Sequence, residues 1–257
     1  MNAKQKIMIG ITVVLFVAYL VTTTGFVDKK RQQIYCRHID ITICDSAVNR
    51  FIDTRNVRQL IDRANSSLIG APVDRINTRR IENKLNAQSV IRNASACTSI
   101  DGVLHIRVYQ RRPVMRVLTE QGSFYIDDAG YIFPFSHTYT SYVPIVTGNI
   151  APSFKAGHTG DIPDKDNLIK QLYTFGLFLD KHDFWQSQVL QLHVHNAHDI
   201  EIIPRVGNQL IKLGSLDNYE YKLKKLYAFY RYALPNEGWK RYSKIDLRYG
   251  NQVIATK

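Results

Sequence analysis

The stretch VIRNASACTSIDGVLHIRVY, residues 90–109, decides the fold of the first part of the chain. Its centre, Asp101-Gly102, is a strong signal for a two-residue hairpin turn. Apolar and polar residues alternate after the turn, which is typical of a strand with one buried face. The stretch therefore predicts two antiparallel strands, Val90–Ile100 and Val103–Tyr109.

One strand and two helices are predicted before this hairpin. Isoleucine occupies every second position over residues 39–43, which indicates a first strand. A helix should begin at Asp53 or Thr54, both good N-cap residues, and a second helix after Asn77. The order strand, helix, helix, strand, strand predicts a small α+β domain over residues 34–111.

The remainder of the chain, residues 112–257, has the pattern of a β-rich domain with two helices. The helices are predicted at about Asn167–Phe184, with Asp166 as a natural N-cap, and at about Asp217–Ala233, with Pro235 just past the end. Strands are predicted at Phe124–Asp127, Gly130–Phe133, Tyr142–Gly148, Val189–Ile203, Gln209–Leu213 and Ile245–Ala255, the last with a bend at Gly250-Asn251. The expected fold class is α+β.

The N terminus predicts a membrane anchor. Residues 7–27 carry no charge and are long enough to cross a bilayer, and a short tail of residues 1–6 precedes them. A cleaved signal peptide is the alternative, although no A-x-A pattern ends the segment. The basic residues on the two sides of the segment, counted alone, lean slightly toward a cytosolic position for the large soluble part.

Composition places the chain among ordinary globular proteins, with 45% hydrophobic and 22% charged residues. The formal net charge of +12 permits nucleic acid or anionic lipid as a partner. The basic residues are scattered in ones and twos, however, which is typical of a solvated surface. The three cysteines, Cys36, Cys44 and Cys97, are expected to be buried free thiols, and a disulfide between Cys97 and one of the others is the alternative.

Candidate catalytic and metal-binding residues are few. His193, His195 and His198 could supply two zinc ligands from one strand face, but no cluster offers the remaining ligands, so these side chains are expected in solvent. Asp127-Asp128 precedes a tight turn, where aspartate bonds the backbone, and this is favoured over an acid–base pair. The sequence contains no P-loop, dinucleotide-binding or nucleophile-elbow motif. It therefore predicts no catalytic residue, no metal and no cofactor.

Tyrosine and lysine residues interleave within the second predicted helix. Such a set could form a nucleic-acid surface, since bases stack on aromatic rings beside basic groups. At helical spacing the same residues predict an amphipathic helix, with Leu223, Leu226 and Phe229 inward and the lysines outward.

Four motifs, in this order, resemble the FtsQ/DivIB family of bacterial cell-division proteins. The first is LHIRVYQRRPV, residues 104–114, which is similar to the stretch joining the two domains of the family, except that Gln110 replaces an acidic residue. The others are FYIDDAGYIFP at 124–134, VPIVTG at 143–148 and IDLRY at 245–249.

The resemblance implies one transmembrane helix, a POTRA-like domain at 34–111 and a β domain at 112–257. It implies a cytoplasmic tail, with both domains on the periplasmic face of the inner membrane, at the division septum. The implied role is a non-enzymatic divisome scaffold that links early and late division proteins and supports septal cell-wall synthesis. FtsB and FtsL are the implied partners, bound by the end of the β domain.

The last predicted strand offers a physical route for such binding. An edge strand carries unpaired backbone groups, onto which a partner segment can add as a further strand. The predicted partner-binding residues are Leu247, Arg248, Tyr249 and Val253, with Tyr249 as anchor and Arg248 as charge partner. A membrane-anchored nucleic-acid-binding protein is the alternative function, supported by the net charge.

Overall fold

The structure is a computed structural model that describes residues 12–22, 34–63, 67–136, 139–239 and 241–257. The chain divides into two compact units, Met1–Gln110 and Arg111–Lys257, and each is described by itself.

Helix α1 covers residues 12–22, inside the predicted membrane segment. That segment, residues 7–27, extends past α1 on both sides, and residues 7–11 and 23–27 lie outside the described residues. Within the ranges given above, no helix is both long enough and apolar enough to cross a membrane.

The first unit has a three-stranded sheet with two helices packed against it. Its elements are β1 (His38–Ile43), α2 (Thr54–Asp62), a 3-10 turn (Val73–Arg75), α3 (Thr78–Asn86), β2 (Ile91–Thr98) and β3 (Val103–Gln110). The strand order is β1-β3-β2, and β3 runs parallel to β1 and antiparallel to β2. The predicted order of strand, helix, helix, strand, strand is confirmed.

The hairpin between β2 and β3 is confirmed, but its connection is longer than the predicted two residues. The strands end at Thr98 and resume at Val103. The N–H of Ser99 donates to the Val103 carbonyl at 2.9 Å, and the N–H of Gly102 donates to the Ser99 carbonyl at 3.2 Å. These bonds close a turn over Ser99–Gly102, because Gly102 adopts a positive φ of 83°.

Both predicted helix starts are confirmed by their caps. The Asp53 carboxylate accepts from the Asn56 N–H at 2.7 Å, and the Asn56 side chain accepts from the Asp53 N–H at 3.2 Å. At the start of α3 the Asn77 side chain accepts from the Arg80 N–H at 2.9 Å. The buried faces of the two helices consist of Val57, Ile61, Ile81 and Leu85.

Side-chain oxygens of α3 cover the edge of the sheet at β2. The N–H of Ala94 donates to Asn86 Oδ1, and the N–H of Ala96 donates to Glu82 Oε1, both at 2.8 Å. Both N–H groups belong to an edge strand and would otherwise lack a sheet partner. Glu82 and Asn86 thus take the place of the neighbouring strand that β2 does not have.

The second unit is built on a ten-stranded mixed sheet. Its strands are β4 (Pro113–Thr119), β5 (Gly122–Asp127), β6 (Tyr131–Pro134), β7 (Ile145–Gly148), β8 (Gly160–Asp161), β9 (Val189–Asn196), β10 (Asp199–Pro204), β11 (Leu210–Gly214), β12 (Lys244–Asp246) and β13 (Ile254–Thr256). They lie in the order β13-β12-β11-β10-β9-β7-β4-β5-β6-β8.

The helical segments of this unit contribute to one hydrophobic core with the sheet. They are α4 (Asn167–Asp180), α5 (Asp183–Gln188), α6 (Tyr219–Ala228), a π-helical segment (Phe229–Ala233) and α7 (Leu234–Glu237). Leu223 and Leu226 are buried and Phe229 is partly buried in that core, which confirms the predicted inward face.

Two of the predicted elements divide where a polar side chain bonds the backbone. The helix predicted to reach Phe184 stops at Asp180, because His182 is extended and its Nδ1 lies 2.7 Å from the Phe178 carbonyl oxygen. The long strand predicted over Val189–Ile203 folds into the β9–β10 hairpin, where Asn196 Oδ1 accepts from the His198 N–H at 2.9 Å.

The two predicted helix-end signals had different outcomes: the N-cap position of Asp166 is confirmed, whereas the position of Pro235 was wrong. Asp166 occupies the N-cap position of α4, but its carboxylate accepts from the Ser153 N–H at 3.0 Å and the Ser153 hydroxyl at 2.7 Å instead of capping the helix. Pro235 does not follow the helix: it lies at the start of α7, where a missing N–H costs little.

The cysteines differ from the expectation of three buried thiols. All three are free, but only Cys36 is buried, while Cys44 and Cys97 are exposed. Cys97 lies on β2 with its side chain on the face of the sheet away from Leu104 and Ile106, so strand alternation places it in solvent.

Candidate functional site

The C-terminal strand β13 forms one edge of the ten-stranded sheet. It pairs antiparallel with β12, which in turn pairs parallel with β11. The single strand predicted over Ile245–Ala255 is therefore two strands, and its first part, β12, is internal. Among the described residues, no strand pairs with the other side of β13.

The open side of β13 presents the backbone of Ala255. The Thr256 carbonyl accepts from the Ser243 N–H at 2.8 Å, so the backbone of Thr256 faces β12. Successive residues of a strand direct their backbone groups to opposite sides, and this places the N–H and C=O of Ala255 on the open side. The geometry is that of a strand able to accept a further strand.

The four predicted partner-binding residues lie in different environments. Leu247 is fully buried, and its N–H donates to the Lys212 carbonyl at 2.9 Å. Tyr249 is 46% exposed, whereas Val253 is partly buried against the core. Ile254, the first residue of β13, is 39% exposed and was not among the predicted residues. Tyr249 and Ile254 thus offer apolar surface next to the open edge, and Leu247 supports it from inside.

Arg248 is held against the end of β12. Its Nη2 lies 2.6 Å from Asp246 Oδ2, its Nε donates to the same carboxylate, and its backbone N–H donates to Asp246 Oδ1 at 3.1 Å. The side chain passes over Gly214, where an added Cβ would come within 2.8 Å of Arg248 Cγ. The absence of a side chain at Gly214 is what allows this approach.

The charge of Asp246 is stabilised by this pairing. Burial alone would raise the pKa of the carboxyl group, but the hydrogen bonds from the Arg248 side chain and backbone and the charges of Arg248 and Lys212 outweigh it. The pKa of Asp246 therefore lies below its ordinary value.

Helix α6 contacts the bend between β12 and β13. Lys225 Nζ donates to the carbonyl oxygens of Leu247 at 3.2 Å and Gln252 at 3.3 Å, and also to that of Tyr249. One turn earlier, the Tyr221 hydroxyl donates to Asn251 Oδ1 at 3.4 Å. The outward position predicted for the lysines holds for Lys224, which is exposed, but Lys225 is partly buried.

His193 and His195 on β9 and Asp127 on β5 lie several strands away from β13. His193 Nδ1 is 3.0 Å from Thr147 Oγ1, and His195 Nε2 is 3.0 Å from Glu201 Oε2. In the part of the chain that the structure describes, no group of three or more His, Cys, Asp or Glu side chains could hold a metal ion. Asp127 accepts from the N–H groups of Ala129 at 2.9 Å and Tyr131 at 2.8 Å, which confirms its predicted role in the turn.

Comparison with known proteins agrees with this architecture. Residues 34–109 match a family model described as a POTRA-like domain. A protein described as cell division protein FtsQ, from Rhodothermus marinus (strain ATCC 43812 / DSM 4252 / R-10), is 26% identical over 194 residues, which cover 72% of this chain and 67% of that protein. Residues 112–256 match the model described as FtsQ/DivIB, C-terminal related. Since this last match spans more than half of the chain, the protein belongs to the FtsQ/DivIB family of cell-division proteins.

Proposed function

We propose that this protein is a non-enzymatic scaffold of the divisome, which links early and late division proteins at the septum and supports septal cell-wall synthesis. Membership of the FtsQ/DivIB family supports the role in cell division. The uncharged segment at residues 7–27 supports anchoring in a membrane. The resemblance to the FtsQ/DivIB family implies that this is the inner membrane, with the tail in the cytoplasm and both domains in the periplasm.

The observation that carries the proposal is the open side of β13. FtsB and FtsL, the partners that the family resemblance implies, would bind by adding an extended segment there. Main-chain hydrogen bonds to Ala255 would supply affinity. Tyr249, Val253 and Ile254 would supply apolar contacts, and Arg248 would supply charge beside the strand.

The decisive variant is Ala255→Pro in the full-length chain. Proline removes the N–H that faces the open side and leaves the pairing of Thr256 with β12 intact, and proline is tolerated on edge strands for that reason. We expect binding of FtsB–FtsL from the same organism to weaken about tenfold or more, whereas Ala255→Val should bind like the wild type. Wild-type affinity of Ala255→Pro would refute strand addition at this edge.

The side-chain contribution has its own matched pair of variants. Tyr249→Ala should weaken capture of FtsB–FtsL from membranes, because aromatic anchors dominate interface energies. Tyr142→Ala removes a tyrosine that is 79% exposed on the loop before β7 and should have no effect on capture. Equal capture by the two variants would exclude Tyr249 as an anchor.

A further inference from the structure

The bend that joins β12 to β13 receives three hydrogen bonds from one ammonium group. Lys225 Nζ contacts three carbonyl oxygens of this bend, from Leu247, Tyr249 and Gln252. A lysine ammonium has three donors and no acceptor, so three carbonyls match its hydrogen-bonding capacity. The three acceptors are separated along the chain but converge on one point, which is how a bend without regular secondary structure keeps a single shape.

The attachment depends on helix α6. Leu223 and Leu226, on either side of the lysine, are buried in the core, so the helix cannot turn to release the ammonium. Tyr221, one turn earlier, bonds Asn251 through its hydroxyl group. Two side chains of one anchored helix therefore hold the segment between the internal strand and the edge strand.

The edge strand has few other attachments. β13 consists of Ile254–Thr256 and pairs with β12 over only three residue pairs. Such short edge strands detach readily, since elements held by few hydrogen bonds lie at the low-stability end of a native structure. A partner that needs β13 in place would first have to order it, and this ordering would reduce the measured affinity.

We propose that Lys225 is the positioning residue of the partner-binding edge: it fixes the bend at 247–252 so that β13 is already paired and presented when a partner strand arrives. This inference rests on the proposed function for its consequence in binding. Its structural part concerns this chain alone. In this role Lys225 bonds the carbonyl oxygens of the bend and does not contact the partner.

Hydrogen exchange of the full-length chain tests the structural part. Lys225→Met keeps the aliphatic stem and removes the charge and all three donors. We expect exchange of the amide that Thr256 directs toward β12 to accelerate about tenfold or more, with the amides of β9 and β10 unchanged. Lys224→Met, on the same helix but exposed, is the control and should leave every amide at the wild-type rate. Unchanged exchange at Thr256 in Lys225→Met would overturn the proposal.

Binding of purified FtsB–FtsL tests the functional part with the same variants. Lys225→Met should weaken binding about tenfold, mainly through slower association, and Lys225→Arg should restore part of it, since a guanidinium also donates to carbonyl oxygens. If the wild-type chain does not bind FtsB–FtsL, the proposed function fails while the exchange result still decides the role of Lys225. If Lys225→Met frees β13 but binds with wild-type affinity, positioning by Lys225 is refuted and strand addition is not.

Discussion

Gly148→Ala should be among the most destabilising single substitutions in the second unit. Gly148 ends β7 opposite Val194 of β9, inside the ten-stranded sheet. A Cβ built on Gly148 would lie 2.1 Å from the Val194 carbonyl oxygen and 2.9 Å from the Val194 carbonyl carbon and nitrogen. The obstacle is backbone, so no side chain can rotate away.

Three separate effects set the size of the loss. Gly148 has a φ of 104°, and an L-residue held in such a conformation costs about 1–3 kcal/mol. Forcing extra volume into a packed interior costs about 1–3 kcal/mol. Relief of the clash would also disturb the bond from the Asn149 N–H to the same carbonyl, now 2.7 Å long, at about 1 kcal/mol. We therefore expect the free energy of unfolding to fall by about 3–7 kcal/mol, a large part of the stability of an ordinary domain.

Urea unfolding followed by tryptophan fluorescence measures this loss in the relevant unit. The chain has two tryptophans, Trp185 and Trp239, and both belong to the second unit. Gly157→Ala is the matched control, because Gly157 also has a positive φ, 79°, but nothing lies within 4 Å of an added Cβ. The control should lose only the conformational part, about 1–3 kcal/mol.

Equal losses for Gly148→Ala and Gly157→Ala would refute the reasoning. The result would mean that β7 and β9 separate at this point without cost, and that the close approach of Gly148 to Val194 contributes nothing to the sheet. A loss below about 1 kcal/mol for Gly148→Ala would refute the conformational argument as well.

Two further predictions concern buried and paired carboxylates. Asp127 is fully buried, and Arg111 Nη1 lies 2.8 Å from Asp127 Oδ2. Asp127→Ala should therefore lower the free energy of unfolding by about 3–5 kcal/mol in the same fluorescence assay. Asp128 is more exposed, and Asp128→Ala should lower it by about 1 kcal/mol or less. The lowered pKa of Asp246 predicts stabilisation that is complete above the unfolded pKa near 3.9 and is lost as the pH falls through it toward the native value. The urea midpoint of the wild type should therefore drop over this window, and that of Asp246→Asn should lack this component; parallel pH profiles would contradict the pairing with Arg248.

Local patterns predicted much of the fold, because they are set by neighbouring residues. The caps at Asp53 and Asn77 and the inward face of α6 depend on contacts within one turn or one helix, and these were confirmed. The hairpin at Asp101-Gly102 was placed correctly, although the length of its connection was not. Turn length depends on where the flanking strands β2 and β3 stop pairing, and the residues of the turn alone do not decide that.

The sequence pattern did not predict the order of the strands in the sheet. The apolar residues of 245–255 indicated one strand, yet Lys244–Asp246 pairs on both sides and Ile254–Thr256 pairs on one. Alternation reports which face of a strand is buried, and it carries no information on which strand lies alongside. The burial of Leu247 follows from that long-range pairing with β11, as does the exposure of Tyr249 beyond it.

The contacts of Lys225 had no local signal at all. Helical periodicity placed every lysine of the helix outward, and Lys224 follows that rule. The three carbonyl acceptors of Lys225 lie 22 to 27 residues further along the chain, in a bend between two strands where the sequence predicted one strand. A long flexible side chain near a helix boundary can reach such acceptors only once the whole sheet is assembled.

The two oxygens that cover β2 also make the order of folding matter. Glu82 and Asn86 belong to α3, so the Ala94 and Ala96 amides are protected only while that helix is formed and docked. An intermediate in which the β2–β3 hairpin has closed and α3 has not would display a bare strand edge to every other chain nearby. Formation of α3 before the hairpin would therefore protect a newly made chain from pairing with its neighbours before the domain is complete.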